Sequence, residues 1–506
     1  MFTGWLTALV FLPMAGAIIL ALVVRGDRNI RFFAAAVSLA ELVLAIVIFA
    51  MFDHEAGASQ YQLIDKVEDW IPIESFKVQY FLGIDGVSAP MVLLTGLLGA
   101  VAVYSSWSVK TRVREYFVWL LALQAAVMGV FTALDFFLFF MFWELELVPM
   151  FFLISIWGSG RREYSAMKFV IFTILGSAFM LVGILVLFYS TDTFDMTLLP
   201  DAIANGKLLL PIGMVFTLTF IAFAVKLPIW PLHTWLPDAH TDAPTAASVM
   251  LAGVLLKMGA YGMIRVSVTM FPGVISDIAW LLAAAGVVNI LYGAVVVLRQ
   301  TDLKRLIAFS SISHMGFVLL GLSVVVGVNG EVSAVGLTGA ALQMFTHGTI
   351  TGLLFLLVGY IYEKAHTRYI PDLGGLAGRM PLLTTSLVVA GLASLGLPST
   401  SGFVAEIHVF LGAFPVWSWL TAVGAFGVAI TAGYILWMIQ RSMFGPRNPH
   451  LNDVADATPL EMLPVAAMVI AIMAVGIYPS LLVDVFSSGL QPIVDSLQNV
   501  AVTATR

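Results

Sequence analysis

Long apolar runs recur along the whole chain, each of at least about 18 residues, the length that crosses the hydrocarbon core of a bilayer as a helix. A membrane-spanning β-barrel requires alternating strands of about ten residues, and that pattern does not appear. Only 11% of the 506 residues are charged, and the mean hydropathy is +1.00. We therefore predict an all-α polytopic membrane protein of the cell (inner) membrane, multi-pass and without a soluble domain.

The apolar runs predict about 14 transmembrane helices that use nearly the whole chain. Their expected ranges are 3–24, 31–52, 84–107, 113–133, 135–157, 165–190, 210–235, 244–269, 276–298, 303–326, 332–361, 382–413, 416–441 and 460–485. The remaining polar stretches are short, apart from residues 53–77, which we expect to form an ordered loop.

Cations concentrate in alternate connections between the predicted helices. Sixteen lysines and arginines lie in, or within three residues of, the connections that follow odd-numbered helices, whereas the other connections hold only Lys66, Lys77 and Lys207, with Arg506 at the end. Cytoplasmic loops carry the excess of positive charge, so the pattern predicts that both termini lie on the extracytoplasmic side. The polar segment 53–77 then faces outward.

Two lysines lie deep within apolar sequence. Lys226 and Lys257 stand about a dozen residues before and after a polar turn, so antiparallel helices bring them to a similar depth. A charge at the bilayer centre costs roughly 3 kcal/mol or more unless it is paired or hydrated, and these lysines lie too deep to snorkel easily to the interface. They therefore predict a polar interior.

Other titratable residues fall at the same predicted depth. Glu144 lies near the middle of the fifth predicted helix, and we expect it to pair with Lys226. Glu146 is two positions further on and so on another helix face, where we expect a subunit contact or no role. The remaining central groups are Glu406, His314 and His347, although a membrane histidine can also simply link two helices by hydrogen bonds. Such a row suits proton relay.

Two predicted helices contain breaks. Pro228 and Pro231 interrupt the seventh, and the segment LGLPSTSG at 395–402 interrupts the twelfth. Breaks five helices apart are typical of two inverted five-helix repeats. We therefore divide the chain into helices 1–3 with the outer loop at 1–112, a first repeat at 113–272, a second repeat at 273–445 and the C-terminal helix 14 at 446–506.

The composition limits the chemistry. The sequence has no cysteine, which excludes thiolate metal sites and cysteine-ligated clusters, so any redox cofactor is expected in a partner. A metal-dependent intramembrane enzyme remains an alternative through the cluster His233, Asp238, His240 and Asp242, although its spacing matches no recognised metal motif.

The chain resembles the antiporter-like subunits of proton-pumping NADH:quinone oxidoreductase, respiratory complex I. The similarity rests on FWELELVPM at 142–150, on the segment from Lys226 to Gly262 and on LPSTSGFVAE at 397–406. It implies that Glu144, Lys226, Lys257 and Glu406 are the relay residues of helices 5, 7, 8 and 12, and that His314 and His347 lie on the central axis. It also implies two inverted repeats with interrupted helices 7 and 12.

Two features indicate the M-type branch of that family. Glu406 occupies a position where the L-type and N-type subunits typically carry lysine, and the chain ends soon after the predicted helix 14, without room for the long lateral helix of the L type. The resemblance implies L-type and N-type subunits as neighbours. NAD, FMN, iron–sulfur clusters and quinone are expected in partner subunits, with no cofactor or metal in this chain and no nucleic-acid partner.

The expected function is therefore proton translocation from the cytoplasm to the outside, driven by redox chemistry in other subunits. A subunit of a multi-subunit sodium/proton antiporter is an alternative, because such subunits share the lysines and carboxylates.

Overall fold

The computed structural model describes residues 2–55, 61–68, 70–71, 76–328, 331–446, 448–451 and 454–504. We number the principal helices in chain order and mark the halves of two interrupted helices a and b. They are α1 (Trp5–Leu22), α2 (Asp27–Met51), α3 (Ser88–Tyr104), α4 (Val113–Thr132), α5 (Phe136–Trp157), α6 (Arg162–Thr191), α7a (Ile212–Lys226), α7b (Trp235–Asp242), α8 (Thr245–Val268), α9 (Ala279–Val297), α10 (Leu303–Leu322), α11 (Ala334–Ala365), α12a (Pro381–Ser394), α12b (Ser401–Ala413), α13 (Ser418–Ile439), α14 (Pro459–Ile477) and α15 (Ser480–Ala504).

The helices agree with the hydropathy pattern. Within the described residues, 11 helices are long and apolar enough to cross a membrane, and α3, α7a, α12a and α12b are shorter apolar helices. The prediction of an all-α polytopic membrane protein is confirmed. The division into two inverted repeats, with the domain boundaries drawn above, stays a prediction.

Both predicted interruptions are present. The α7 break separates Lys226 from Trp235 and contains Pro228 and Pro231, which have no N–H to continue the helical hydrogen bonds. The α12 break separates Ser394 from Ser401 and includes Gly396 at φ 76°, a left-handed conformation that glycine adopts without strain. Each break therefore leaves backbone polar groups without their helical partners.

Three helices form the centre of the bundle. The apolar windows of α8 and α11 are entirely buried, and that of α10 is 94% buried, whereas those of α1, α2, α6, α13 and α14 are at most 39% buried. Helices α8, α10 and α11 carry Lys257, His314 and His347, respectively. These titratable side chains consequently face protein.

A short antiparallel hairpin replaces part of the expected outer loop. Strand β1 (Gln62–Val67) pairs with β2 (Tyr80–Ile84), and Asp65 fastens the hairpin to α1 by accepting hydrogen bonds from the backbone N–H groups of Thr3 at 2.7 Å and Thr7 at 2.8 Å. Residues 56–60, 69 and 72–75 of the predicted loop lie outside the described residues. We call this side of the molecule the hairpin face.

The C-terminal segment differs from the prediction. Helix α14 ends at Ile477 instead of continuing to 485, and a further helix, α15, begins at Ser480 after Pro479. Its buried side chains recur every three or four residues, at Leu482, Phe486, Leu490, Ile493 and Leu497. This one-sided apolar stripe is typical of a helix that lies along a surface. Gly489 packs directly against Gly86, so α15 covers the hairpin face where α3 begins.

Candidate functional site

Lys226 forms a buried ion pair with Glu146. The lysine ends α7a and is 1% exposed, and Glu146 of α5 is 0% exposed. The ammonium group also lies 5.2 Å from the centroid of the Trp143 ring and 5.6 Å from that of Phe169. Aromatic faces attract a cation, so the two rings add to the attraction of the carboxylate.

The predicted pairing of Lys226 with Glu144 is wrong, and so is the placement of Glu146 away from the interior. Glu144 is only half buried, and its buried Oε1 atom has no hydrogen-bond partner among the described residues. It shares a helix face with the exposed side chains of Met141, Leu145 and Val148. The two glutamates lie on opposite faces, as expected. Which face points inward could not be read because α5 is apolar on every side.

Lys257 lies at the centre of the bundle and is fully buried. Its amine contacts the carbonyl oxygen of Ala252 and lies 2.7 Å from Nδ1 of His347. Two π-helical turns, Leu251–Leu255 and Met263–Val268, flank the turn that carries it. Such turns within α-helices frequently occur at functional sites. Among the described residues, no carboxylate forms an ion pair with Lys257.

Two histidines and a glutamate continue this group. The rings of His347 and His314 have centroids 5.6 Å apart, and Nδ1 of His314 lies 3.6 Å from Oε1 of Glu406. His314 Nε2 lies 3.3 Å from the hydroxyl of Ser394, at the end of α12a. The predicted central residues Lys257, His347, His314 and Glu406 therefore follow one another from α8 to the α12 break.

A small cavity lies among these side chains. It has a volume of about 10 Å³ and is lined by His314, His347, Ser394, Gly402 and Glu406. About this much space, with polar partners on its walls, is needed to hold one water molecule. A water there can bridge the gaps between the rings and the carboxylate.

The site consists of two separate groups. The first is the pair of Lys226 and Glu146, and the second runs from Lys257 to Glu406. Within the described parts of the chain, no hydrogen bond or ion pair joins Lys226 to Lys257.

The cluster considered as a metal site does not converge. Asp238 pairs with Lys168 at 2.7 Å and with Arg305 at 3.1 Å, whereas Asp242 accepts a 2.6 Å hydrogen bond from Ser165. No group of three metal-ligating side chains occurs among the residues that the structure describes. The geometry therefore gives the enzyme interpretation no support.

His240 and Lys304 are buried groups that the sequence did not single out for relay. His240 is stacked on Phe355 with ring centroids 4.7 Å apart, and neither ring nitrogen has a hydrogen-bond partner in the described part of the chain. The charges of Lys304 and Lys257 both act on it. Lys304 had been counted as a loop cation, but it is 3% exposed and donates to the carbonyl of Ala243 at 2.7 Å.

A larger cavity reaches Lys304 from the side opposite the hairpin. Its volume is about 170 Å³, and its polar lining includes Ser106, Ser108, Glu363 and Arg368. A water needs roughly 10–15 Å³ of such space, so several can enter. We call this the cation-rich face because the clustered cations of the sequence lie here.

The fold and these motifs define a class of membrane protein. Residues 133–431 match the family described as NADH:quinone oxidoreductase/Mrp antiporter, transmembrane. The chain belongs to this family.

Individual relatives are similar over nearly the whole length. NADH-quinone oxidoreductase subunit M of Rhodobacter capsulatus is 40% identical, covering 97% of this chain and 96% of the relative. Chain 4 of the NAD(P)H-quinone oxidoreductase of Synechococcus elongatus is 41% identical, covering 95% and 90%, respectively. The chain is thus similar to M-type subunits, as the sequence indicated.

Solved structures agree. A chain of respiratory complex I from Thermus thermophilus superposes with a TM-score of 0.84 at 27% identity, covering 98% of this chain and 99% of that one. A chain of the Mrp complex from Dietzia sp. gives a TM-score of 0.82 at 19% identity, covering 98% of each, a similarity that concerns the fold.

Proposed function

We propose that this chain is a proton-translocating membrane-arm subunit of an NADH:quinone oxidoreductase complex. Protons pass from the cytoplasm to the outside, and the redox reaction that drives them occurs in partner subunits that hold NAD, FMN, iron–sulfur clusters and quinone. The observation that carries the proposal is the buried series Lys257, His347, His314 and Glu406, in which successive groups lie within about one water of each other.

The series suits proton transfer because each member can bind or release a proton. A buried lysine without a carboxylate partner is easily neutralised, since burial disfavours its charged form. A proton released by Lys257 can pass to the adjacent Nδ1 of His347, and from there through His314 to Glu406. The α12 break beside Glu406 supplies polar backbone towards the outside.

The loading end is assigned to the cation-rich face, which the charge pattern predicts to be cytoplasmic. Water in the 170 Å³ cavity delivers protons to Lys304, and the charges of both Lys304 and Lys257 act on His240. Lys226 and Glu146 control the next step through their charge. When a change in a neighbouring subunit weakens this pair, the freed positive charge repels the proton on Lys257.

Glu144 keeps a role in this proposal, but a different one. It is partly buried on the side of α5 that carries exposed apolar residues, and a carboxylate within a membrane is costly unless it is paired. A neighbouring L-type or N-type subunit is the partner that removes this cost by offering a cation. Glu144 then responds to the neighbour and alters the field at Lys226.

The central experiment replaces Lys257 with Ala in the assembled complex and measures NADH-driven quinone reduction and proton translocation. Lys207→Ala, at an exposed lysine between α6 and α7a, is the matched control. We expect a fall of tenfold or more in translocation with Lys257→Ala, on the order of 1.4 kcal/mol in barrier. Undiminished translocation refutes the relay.

A sodium/proton antiporter subunit is the second candidate function, favoured by the shared fold with the Mrp complex. The composition of the detergent-solubilised native complex separates the two. Flavin and iron–sulfur subunits in the complex support the proposal, and their absence supports the antiporter.

A further inference from the structure

The segment between α7a and α7b follows directly after Lys226, and several of its backbone groups have no helical hydrogen-bond partner. Pro228 and Pro231 donate no backbone hydrogen bond, and the helix break leaves nearby carbonyl and N–H groups without helical partners. An unsatisfied group of this kind inside a membrane costs several kcal/mol. Other parts of the protein must therefore bond to the break.

One side chain of α9 bonds to both a backbone N–H and a backbone carbonyl of the break. Oδ1 of Asn289 accepts a 2.9 Å hydrogen bond from the backbone N–H of Trp230, and its Nδ2 donates at 3.2 Å to the carbonyl of Pro228. Asn289 is fully buried. Its whole amide thus serves a backbone segment two to four residues beyond Lys226.

A second side chain on the same face of α9 reaches the same segment. The hydroxyl of Tyr292 lies 3.1 Å from Nε2 of His233, and the two rings meet edge-on with centroids 4.9 Å apart. Residues three apart on a helix share a face. Asn289 and Tyr292 therefore form a clamp, which we define by these two residues, along the break.

A further contact across the break comes from α7b, the second part of the interrupted helix. The indole N–H of Trp235 donates at 3.0 Å to the carbonyl of Val225, which directly precedes Lys226. Two sets of contacts, from Trp235 and from the clamp, therefore fix the backbone on either side of Lys226. The clamp provides one of them from α9, which is the first helix of the predicted second repeat.

We propose that Asn289, assisted by Tyr292, is a positioning residue that holds the α7 break so that Lys226 faces Glu146. Through Asn289, the position of this ion pair depends on α9 and hence on the predicted second repeat. The inference rests on the proposed relay. A shift of α9 relative to α7 then alters the ion pair without any direct contact to either charge. Asn289 itself handles no proton.

The test uses the assembled complex in membrane vesicles and three variants. Asn289→Leu removes both hydrogen bonds at similar volume. Asn289→Asp restores them only while its carboxyl is protonated, because the O–H can donate to Pro228 and the C=O can accept from Trp230. Val288→Ala, at the adjacent 43%-exposed position, is the control.

Proton translocation and NADH-driven quinone reduction are measured from low to high pH. We expect Asn289→Leu to lower both about tenfold at normal levels of assembled complex, and Val288→Ala to change neither. Asn289→Asp is expected to match the unaltered complex at low pH and to lose activity as the carboxyl ionises. A role confined to packing predicts no such pH dependence.

The proposal is overturned if Asn289→Leu behaves like Val288→Ala, or if Asn289→Asp loses the same fraction of activity at every pH. If Asn289→Leu fails to assemble, the pH course of Asn289→Asp and the turnover of Tyr292→Phe decide. Tyr292→Phe and Asn289→Asp both retaining full activity at all pH values also refutes the clamp. Lys257→Ala in the same preparation tests the relay separately, because full activity there refutes the relay and not only the clamp.

Discussion

The two ends of the titratable row bury their charges in different ways. Lys226 and Glu146 contact each other directly, and neither is more than 1% exposed. Glu406 instead lies 3.6 Å from a histidine beside a cavity of about 10 Å³. A direct pair in low dielectric holds its charges strongly. A carboxylate facing a titratable ring and a water-sized space can exchange a proton without breaking an ion pair.

The two helix breaks show the same contrast. Side chains fasten the α7 break, through Asn289 and Trp235. Backbone conformation shapes the α12 break, where Gly396 has φ 76° and Ser399 has φ 75°. In the proposed relay, the first break is therefore a held element that controls charge, and the second break permits transfer.

The largest expected effect comes from leaving one charge of the buried pair alone. Lys226→Ala strands Glu146 inside the bundle, which destabilises a protein by about 3–5 kcal/mol. We expect less assembled complex on native gels and loss of proton translocation. The double variant Lys226→Met with Glu146→Leu removes both charges and should recover assembly without translocation. Pumping by the assembled double variant contradicts a control function for the pair.

The two glutamates of α5 provide the next test. Glu146→Gln deprives Lys226 of its counter-charge, so we expect both proton translocation and the thermal inactivation temperature of the complex to fall. Glu144→Gln removes a carboxylate that bonds to no buried cation, so only translocation should fall. Equal loss of thermal stability in the two variants means that the assignment of the inward face is wrong.

A smaller effect on stability is expected at the second end. Glu406→Gln keeps the volume and polarity of the side chain, and its facing partner, Nδ1 of His314, lies 3.6 Å away, so the melting behaviour of the complex should change little. Quinone reduction and proton translocation should fall several-fold together, in the range of a positioned acid–base group. Retained translocation shows that protons leave by another route.

Hydropathy and charge could predict much of this molecule, and the reason is physical. Apolar length identifies spanning helices, and a lysine in hydrocarbon such as Lys226 or Lys257 must face an interior. Prolines at 228 and 231 identify the α7 break because proline has no backbone N–H to continue a helix. The central row from Lys257 to Glu406 was predicted because each member is costly anywhere else.

Other features depend on tertiary packing that a uniformly apolar sequence does not encode. The choice between Glu144 and Glu146 depends on which face of α5 meets α7. Burial of Lys304 depends on the cavity between several connections. Helix α15 was missed because its apolar stripe merges with the end of α14 in a hydropathy profile, although its spacing of three and four residues could have revealed it.

The smallest effect is predicted at Asp65, a buried charge outside both ends of the row. Burial opposes its charge, but hydrogen bonds from Thr7, Gly4 and Thr3 outweigh burial and lower the pKa of the carboxyl. A depressed pKa contributes stability that is present above the unfolded value of about 4 and is lost as pH falls through the folded value. Asp65→Asn should therefore loosen α1 from the hairpin at pH 7, seen as faster hydrogen exchange at residues 3–7, and should differ less from the unaltered protein in acid. Proton translocation should stay unchanged, because this carboxylate only fastens the hairpin. If translocation is impaired in Asp65→Asn, the hairpin face belongs to the proton pathway. The contrast between charges held in fixed pairs and groups that transfer protons then no longer applies.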